Sequence, residues 1–378
     1  MANQTAHENL TTWAEIDLFA LKNNYNQVKK FIGSRRIIPV IKANAYGHGI
    51  SELCDFFVNS MKCDYVGVAR VNEGKYLREH GQKKAGIIIL GGFFRGEIRD
   101  ILKYRLEPSV FTIKEVMELN KRAKASGKKV SVHLKINTGM NRLGIRHEQV
   151  FEFMDILKSM KNISLKSIYT HYADSDMQQG DENTLLQTIK LAAIKCIKPK
   201  NVFMHAANSA AITRYPFTYF DAVRPGIMLY GSYADKKIKK LADLSPVMTV
   251  KTRVLNVLNL KKGDRVSYGG LYEAKGREKI AIIGIGYGDG FRRDLTNKKW
   301  YVMIKGKKCE VVGRICMDMT PVKIKGNVCV GDEVLIFGRD KHGSIDVEDM
   351  AERINTISYE IFTGITDRVT RIYKDYKA

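Results

Sequence analysis

Five short runs hold the residue types that bond-making chemistry requires. PVIKANAYGHG sets Lys42 at the end of an apolar stretch, with Tyr46 four residues on. An ammonium is costly to bury unpaired, so this lysine is either an ion-pair partner or a desolvated amine able to attack a carbonyl. KINTGMNRLG carries Lys135 and Arg142, and THYADSD carries His171. HAANSAA carries His205, Asn208 and Ser209, and VRPGI carries Arg224, Gly226 and Ile227. A single histidine on a strand is more often a satisfied core residue than a catalyst. Core packing explains poorly a set of lysine, two histidines, two arginines and a serine that converge on one place.

Convergence depends on the elements that carry these runs. Up to about residue 243, eight β-branched runs alternate with amphipathic stretches: Ile37–Ile41, Tyr65–Ala69, Gly86–Leu90, Pro108–Phe111, Val130–Ile136, Leu165–Tyr169, Asn201–His205 and Phe220–Arg224. One intervening stretch spaces Leu18, Leu21, Tyr25, Val28 and Ile32 along a helix face, with Gly33 as its stop. Another spaces Val150, Phe153, Met154, Leu157 and Met160 in the same way. Eight strand–helix units in this length predict a (β/α)8 barrel, in which catalytic residues come from the C-terminal ends of the strands. A doubly wound sheet would usually show a Gly-rich turn after its first strand, and none is present. The five runs end strands one, five, six, seven and eight. Asn208, Ser209, Gly226 and Ile227 then fall in the loops that usually hold a phosphate in such barrels. A nucleophilic lysine, a phosphate cradle and an arginine facing a ring nitrogen together describe a pyridoxal 5′-phosphate (PLP) site.

From Pro246 onward the pattern changes to strands with short turns, interrupted by one helix near Asp346 with Val347, Met350, Ala351 and Ile354 on its buried face. The expected division is a PLP-binding barrel over 12–243 and a mainly β domain over 244–378, packed together rather than tethered. The 378 residues are 44% apolar and 27% charged, ordinary values that exclude a disordered or fibrous protein. The formal charge of +23 is spread over scattered lysine pairs, and the densest stretch, Lys236 to Lys240, is broken by Ile238. That layout predicts a solvated surface and no nucleic-acid arm. Six cysteines without a C-x-x-C pair read as reduced, mostly buried thiols. The run MANQTAHENLTTW lacks the apolar segment of a signal peptide, and no stretch approaches the ~18 apolar residues of a membrane span. The expectation is a cytoplasmic protein with no membrane partner and no metal.

PVIKANAYGHG, KINTGMNRLG, THYADSD, HAANSAA, VRPGIMLYG, VSYGG, GIGYGDGF and GRICMDM, taken together, resemble the successive motifs of the bacterial alanine racemase family. They keep the family's order within Trp13 to about Tyr373, nearly the whole chain. The resemblance implies a PLP-dependent isomerase that interconverts L- and D-alanine by a two-base mechanism and supplies D-alanine for peptidoglycan. It implies a homodimer with shared active sites. Lys42 would hold PLP and act as one base; Tyr268, from the β domain of the partner, would be the other. Tyr46, Ser209, Gly226, Ile227 and Tyr359 would bind the phosphate, with Asn208 beside them. Arg224 would face the pyridine nitrogen, bonded by His205, and His171 would lie near the ring. Arg142 would serve the phenolic oxygen and the substrate carboxylate, helped by Met317 of the partner. Tyr287, Arg293, Arg314, Asp176 and Asp318 would form the entrance and dimer contact.

Two departures stand out. Asn137 occupies a position that is Asp in many members, near Lys135, which the resemblance marks as a candidate for carbamylation. Gly288 replaces the commoner Ala or Ser. Tyr359 is retained, and an aromatic there limits room and favours a small substrate. Rival readings are a broad-specificity racemase and a PLP-dependent amino-acid decarboxylase. The latter would set a carboxylate, not Arg224, opposite the pyridine nitrogen. A non-catalytic PLP-binding barrel would normally lack the β domain and hence Tyr268.

Overall fold

A computed structural model describes residues 9–177, 179–235 and 241–374. The lysine-rich stretch at 236–240 and most of the leading run lie outside the described residues. Eight strands form one parallel sheet in the order Arg36–Ile37, Ala222–Val223, Phe203–His205, Ile163–Tyr169, Val130–Asn137, Glu107–Val110, Gly86–Ile89 and Tyr65–Val68. The ring closes where Val40 bridges Gly67, with Ile41 N–H donating to Gly67 O and Gly67 N–H to Pro39 O, each at 2.8 Å. The expected eight-stranded barrel is therefore present, and its filling is the Val, Ile and Leu of these strands. The regular ladder of the first strand is short, Arg36–Ile37, yet its bonds continue past Pro39: Ile38 N–H donates to Val223 O at 2.9 Å and Val40 N–H to Pro225 O at 3.0 Å.

The first helix runs Leu18–Ile32. Asp17 caps it by accepting from Ala20 N at 2.9 Å, and Gly33 (φ 63°) ends it. Leu21, Tyr25, Val28 and Ile32 are its buried face, as the spacing predicted, whereas Leu18 is only partly covered. The helix Val150–Ser159 likewise buries Val150, Phe153, Met154 and Leu157.

The second sheet has nine strands. Because Glu333–Asp340 also pairs with Met248–Leu260, six of them close into a small antiparallel barrel. One of its strands comes from far earlier in the sequence. Thr12–Asp17 lies between Met248–Leu260 and Thr370–Lys374, so the first residues of the expected 12–243 unit belong to the β domain's sheet. Its alternation is hidden because Glu15 is buried, held by Lys374 at 2.6 Å and Lys251 at 3.0 Å. Burial alone would raise the Glu15 carboxyl; the two lysines outweigh it and hold it below the usual carboxylate range. Among the cysteines only Cys54, Cys63 and Cys309 are buried, and Cys196 and Cys329 are exposed. No helix among the described residues is long and apolar enough to cross a membrane.

The two domains meet at the Lys42 turn. Ala43, Asn44, Ala45 and Tyr46 all have φ between 51° and 54°, followed by Gly47 at 80°. Left-handed backbone costs about 1–2 kcal/mol per ordinary residue, so this turn needs outside support. Glu73 accepts from Ala43 N at 2.6 Å, and Asn44 Oδ1 accepts from Ile50 N at 2.9 Å. From the β domain, Arg371 Nε donates to Gly47 O at 3.0 Å and Tyr373 to His48 O at 3.1 Å. A Cβ on Gly47 would stand 2.2 Å from Phe362 O. Gly47→Ala is expected to lose about 2 kcal/mol or more of stability, read as a lower urea midpoint. An unchanged midpoint would mean that the turn relaxes freely.

Candidate active site

A cavity of about 340 Å³ opens at the C-terminal ends of the barrel strands. Lys42, Tyr46, Arg142, His171, Asn208, Ser209, Arg224, Gly226, Ile227 and Tyr359 all line it. Five separate strand ends and one β-domain helix, Ser358–Gly364, supply them.

At one end sits a phosphate-sized set of donors. Ser209 Oγ accepts from Gly226 N at 2.9 Å and from Met228 N at 3.3 Å. A hydroxyl whose lone pairs are taken has its hydrogen left to give. A Cβ on Gly226 would lie 2.5 Å from the Tyr46 hydroxyl, so only glycine lets that phenol approach. Tyr46 stacks on Tyr230 at 4.8 Å and tilts against Tyr359 at 5.9 Å. Burial raises both Tyr46 and Tyr359, which keeps their hydroxyls protonated as donors. Asn208 has a different task. Its Oδ1 caps the helix Ser209–Arg214 by accepting from Ala211 N at 3.0 Å, and it accepts from Ser175 Oγ at 2.9 Å. It thereby orients Ser209.

At the other end stand the cations. Lys42 is exposed at the mouth, yet lost hydration lowers its amine, Arg142 lowers it further and Glu73 opposes. Lys135 lies deeper, donating to Leu90 O at 3.1 Å, with its ammonium 5.6 Å from the Tyr169 ring. Burial first, then Arg224, Arg142 and Lys42, push it down to about 7. Arg224 is buried, and burial lowers even this guanidinium to about 10, so it stays a cation near neutral pH. His171 is held well below the imidazole range by burial and then by the surrounding cations. His205 does not line the cavity. It lies beneath, with Nδ1 2.5 Å from Arg224 Nη1.

The Arg142 loop accounts for one departure noted above. Asn137 Oδ1 accepts from Gly139 N at 3.2 Å and Asn141 N at 3.0 Å, while its Nδ2 donates to Asn141 Oδ1 at 3.0 Å. A carboxylate could accept the first two bonds but could not make the third.

Tyr268 and Met317 lie outside this cavity. Tyr268 is 70% exposed, on a turn pinned by Ser267, which donates to Arg314 O at 2.7 Å. Gly288 N–H donates to Met317 O at 2.8 Å and Tyr287 N–H to Cys316 O at 3.0 Å. Hydrogen bonds thus tie the Tyr268, Tyr287 and Met317 segments into one outward shelf of the β domain. Asp318 pairs there with Arg368 at 2.8 Å.

The sequence-based model for "Alanine racemase, N-terminal domain" matches residues 16–234, and that for "Alanine racemase, C-terminal domain" matches 247–373. The chain belongs to the alanine racemase family. The alanine racemase of Carboxydothermus hydrogenoformans is 37% identical over 367 residues, 96% of this chain and 99% of that protein. The solved alanine racemase of Clostridium difficile 630 superposes with a TM-score of 0.91 at 35% identity, covering 97% of each chain. That of Bacillus anthracis with bound L-Ala-P gives 0.89 at 32% identity, covering 97% of this chain and 95% of that one. Alanine racemase is a PLP-dependent isomerase, and that is the activity of this chain. The donor set fits the cofactor: an amine for its carbonyl, the hydroxyls of Ser209, Tyr46 and Tyr359 for its phosphate, and a cation for its ring nitrogen.

Glu73 is the site residue that sequence reading passed over. It accepts from Ala43, Ala69 and Arg70 and so braces the Lys42 turn. Its place in the first turn of the helix Val71–Glu79 was a legible signal, but one that spoke only of a helix start.

Proposed function

We propose that this chain racemises alanine with two opposed bases, Lys42 of one protomer and Tyr268 of its partner, in a homodimer with shared sites. The observation that carries the reading is the split between the cavity and the shelf. Lys42 lines the cavity, whereas Tyr268 points outward from the same chain on a pinned turn. A cavity with one base and a shelf with the other complete each other only between copies. The product D-alanine suits peptidoglycan assembly, as the family resemblance implies.

Bound PLP supplies a carbonyl that captures the substrate amine and an electron-poor ring that acidifies Cα. The chain's own residues do the rest. Ser209, Gly226, Ile227, Tyr46 and Tyr359 anchor the phosphate. Arg224, a cation near neutral pH with no readily released proton, would face the ring nitrogen and leave it unprotonated, which would temper that acidification. Arg142 and the partner's Met317 place the substrate carboxylate. Lys42, lowered by lost hydration and Arg142, takes or returns the Cα proton on one face. Tyr268 does so on the other.

Tyr359 narrows the phosphate end, which favours a small side chain. Assayed in parallel, L-alanine should turn over much faster than L-serine, and L-lysine and L-glutamate should be poor. Comparable rates on L-lysine would replace this reading with a broad-specificity racemase.

Lys135 is read as a second-order device for Arg142. An amine lowered to about 7 is substantially neutral at pH 8, and its nitrogen can add to CO₂ with release of a proton. The carbamate would set an anion beside Arg142 and hold the guanidinium toward the substrate. Protein equilibrated with ¹³C-bicarbonate should show a carbamate resonance that Lys135→Met lacks. The same resonance in Lys135→Met would assign the carbamate elsewhere.

A further inference from the structure

Arg224 stands at one end of a buried chain of hydrogen bonds that runs beyond His205 to residues no role above employs. Its Nη1 lies 2.5 Å from His205 Nδ1, and His205 Nε2 lies 2.8 Å from Ser167 Oγ. Ser167 Oγ lies 2.6 Å from His133 Nδ1, and His133 Nε2 lies 3.0 Å from Glu107 Oε2. Glu107 opens the strand Glu107–Val110 and His205 closes the strand Phe203–His205, so the column crosses the barrel interior toward the mouth. His133, Ser167 and His205 have no exposed surface, and the Glu107 side chain is 16% exposed. Tyr169 stacks on His205 at 4.7 Å and 7°, and Tyr65 meets His133 edge-on at 6.1 Å.

Both ends of the column have fixed polarity. A guanidinium only donates, so His205 Nδ1 must present a lone pair and its hydrogen must sit on Nε2. That hydrogen goes to Ser167 Oγ. The Ser167 hydroxyl then donates to His133 Nδ1, and His133 Nε2–H donates to the Glu107 carboxylate. A doubly protonated His133 would aim a second donor at Ser167 and leave the serine's own hydrogen with no partner in the column. An unpaired buried donor of that kind is expensive. One arrangement therefore satisfies every member. Burial, and next the Arg224 cation, keep His205 well below the imidazole range, which agrees with a neutral ring.

We propose that Ser167, His133 and Glu107 are positioning residues for Arg224. Through His205 they fix the plane of the guanidinium and present its remaining N–H edge to the cavity. The inference rests on the reading that Arg224 faces the ring nitrogen of PLP. The carbonyls of Thr170 and Ala206 hold Nη2 at 2.7 and 3.0 Å, and His171 Nδ1 lies 3.4 Å from the same nitrogen, but all three grip one corner of the guanidinium and leave rotation about it to be decided. The bond from Nη1 to His205 decides it.

The test is made on ¹⁵N-histidine-labelled protein, with and without PLP. Two-bond ¹H–¹⁵N spectra should show His205 and His133 neutral with hydrogen on Nε2. A hydrogen on His205 Nδ1 overturns the column. Ser167→Ala removes the middle link with almost no change of volume. It should move the His205 ¹⁵N shifts, displace the absorbance maximum of the holoenzyme and lower kcat by about tenfold with KM nearly unchanged. Glu107→Leu should do the same, and Glu107→Gln, whose carbonyl still accepts, should restore the parent's behaviour. Parent-like shifts and absorbance in Ser167→Ala overturn the proposal. Unchanged holoenzyme absorbance in Arg224→Lys would instead remove the link to the cofactor, and the tautomers read without PLP keep the two failures apart.

Discussion

Lys42→Ala is expected to abolish racemisation of both enantiomers, by at least about a thousandfold, because it removes both a covalent anchor and a proton-transfer group. Two lysines line the cavity, so the choice between them needs an argument. Depressed basicity alone would select Lys135, the one pushed down to about 7. Geometry selects Lys42. Lys135 is buried and committed to Leu90 O, whereas Lys42 stands at the accessible mouth on a turn braced from two domains. Strained backbone such as that of Ala43 to Tyr46, directly after Lys42, clusters at functional sites. Borohydride reduction of the holoenzyme, followed by peptide mapping, should mark the peptide containing Lys42. A mark on Lys135 would sink the assignment. Loss of activity in Lys42→Ala with a parent-like denaturation curve separates chemistry from folding.

Tyr268→Phe should lose about a hundred- to ten-thousandfold in racemisation, the usual worth of a placed acid–base group. The ring is 70% exposed, so deleting its hydroxyl disturbs no core. Its loss would report the reaction. Mixing the two inactive variants makes the sharper measurement. With shared sites, a mixed dimer holds one site with both lesions and one intact site, so equal mixing should return about a quarter of the parent's activity. No recovery after confirmed subunit exchange would count against a site built from two copies. The faces can be told apart as well. In Tyr268→Phe, solvent-deuterium exchange at Cα should persist with D-alanine through Lys42 and collapse with L-alanine. Equal exchange with both enantiomers would point to a single base. Net racemisation cannot make this distinction, because its equilibrium constant is unity and both directions slow together.

Much of this molecule is legible from residue order alone. Strand–helix alternation over the first 243 residues announces a parallel barrel, because each buried strand must be a β-branched run and each covering helix must show one apolar face. The barrel's geometry then sends every strand end to one mouth. Lys42, Arg142, His171, Ser209 and Arg224 could therefore be read as neighbours although 182 positions separate the first from the last. Local chemistry was equally plain at Gly33, where the helix stop follows from positive φ. Other features needed the tertiary structure. Thr12–Asp17 hides its place in the β domain because a buried Glu15 breaks the apolar pattern, and only two distant lysines make that burial tolerable. The left-handed run from Ala43 to Tyr46 goes against the local preference of all its residues but Asn44, and Glu73, Arg371 and Tyr373 support it from outside. His133 and Ser167 sit within strand runs where nothing local marks them, and only the fold brings them between a carboxylate and a guanidinium. Sequence order can state which groups a barrel gathers; the direction of each hydrogen bond is set by which partner cannot reverse its role, and those partners meet only in the folded chain.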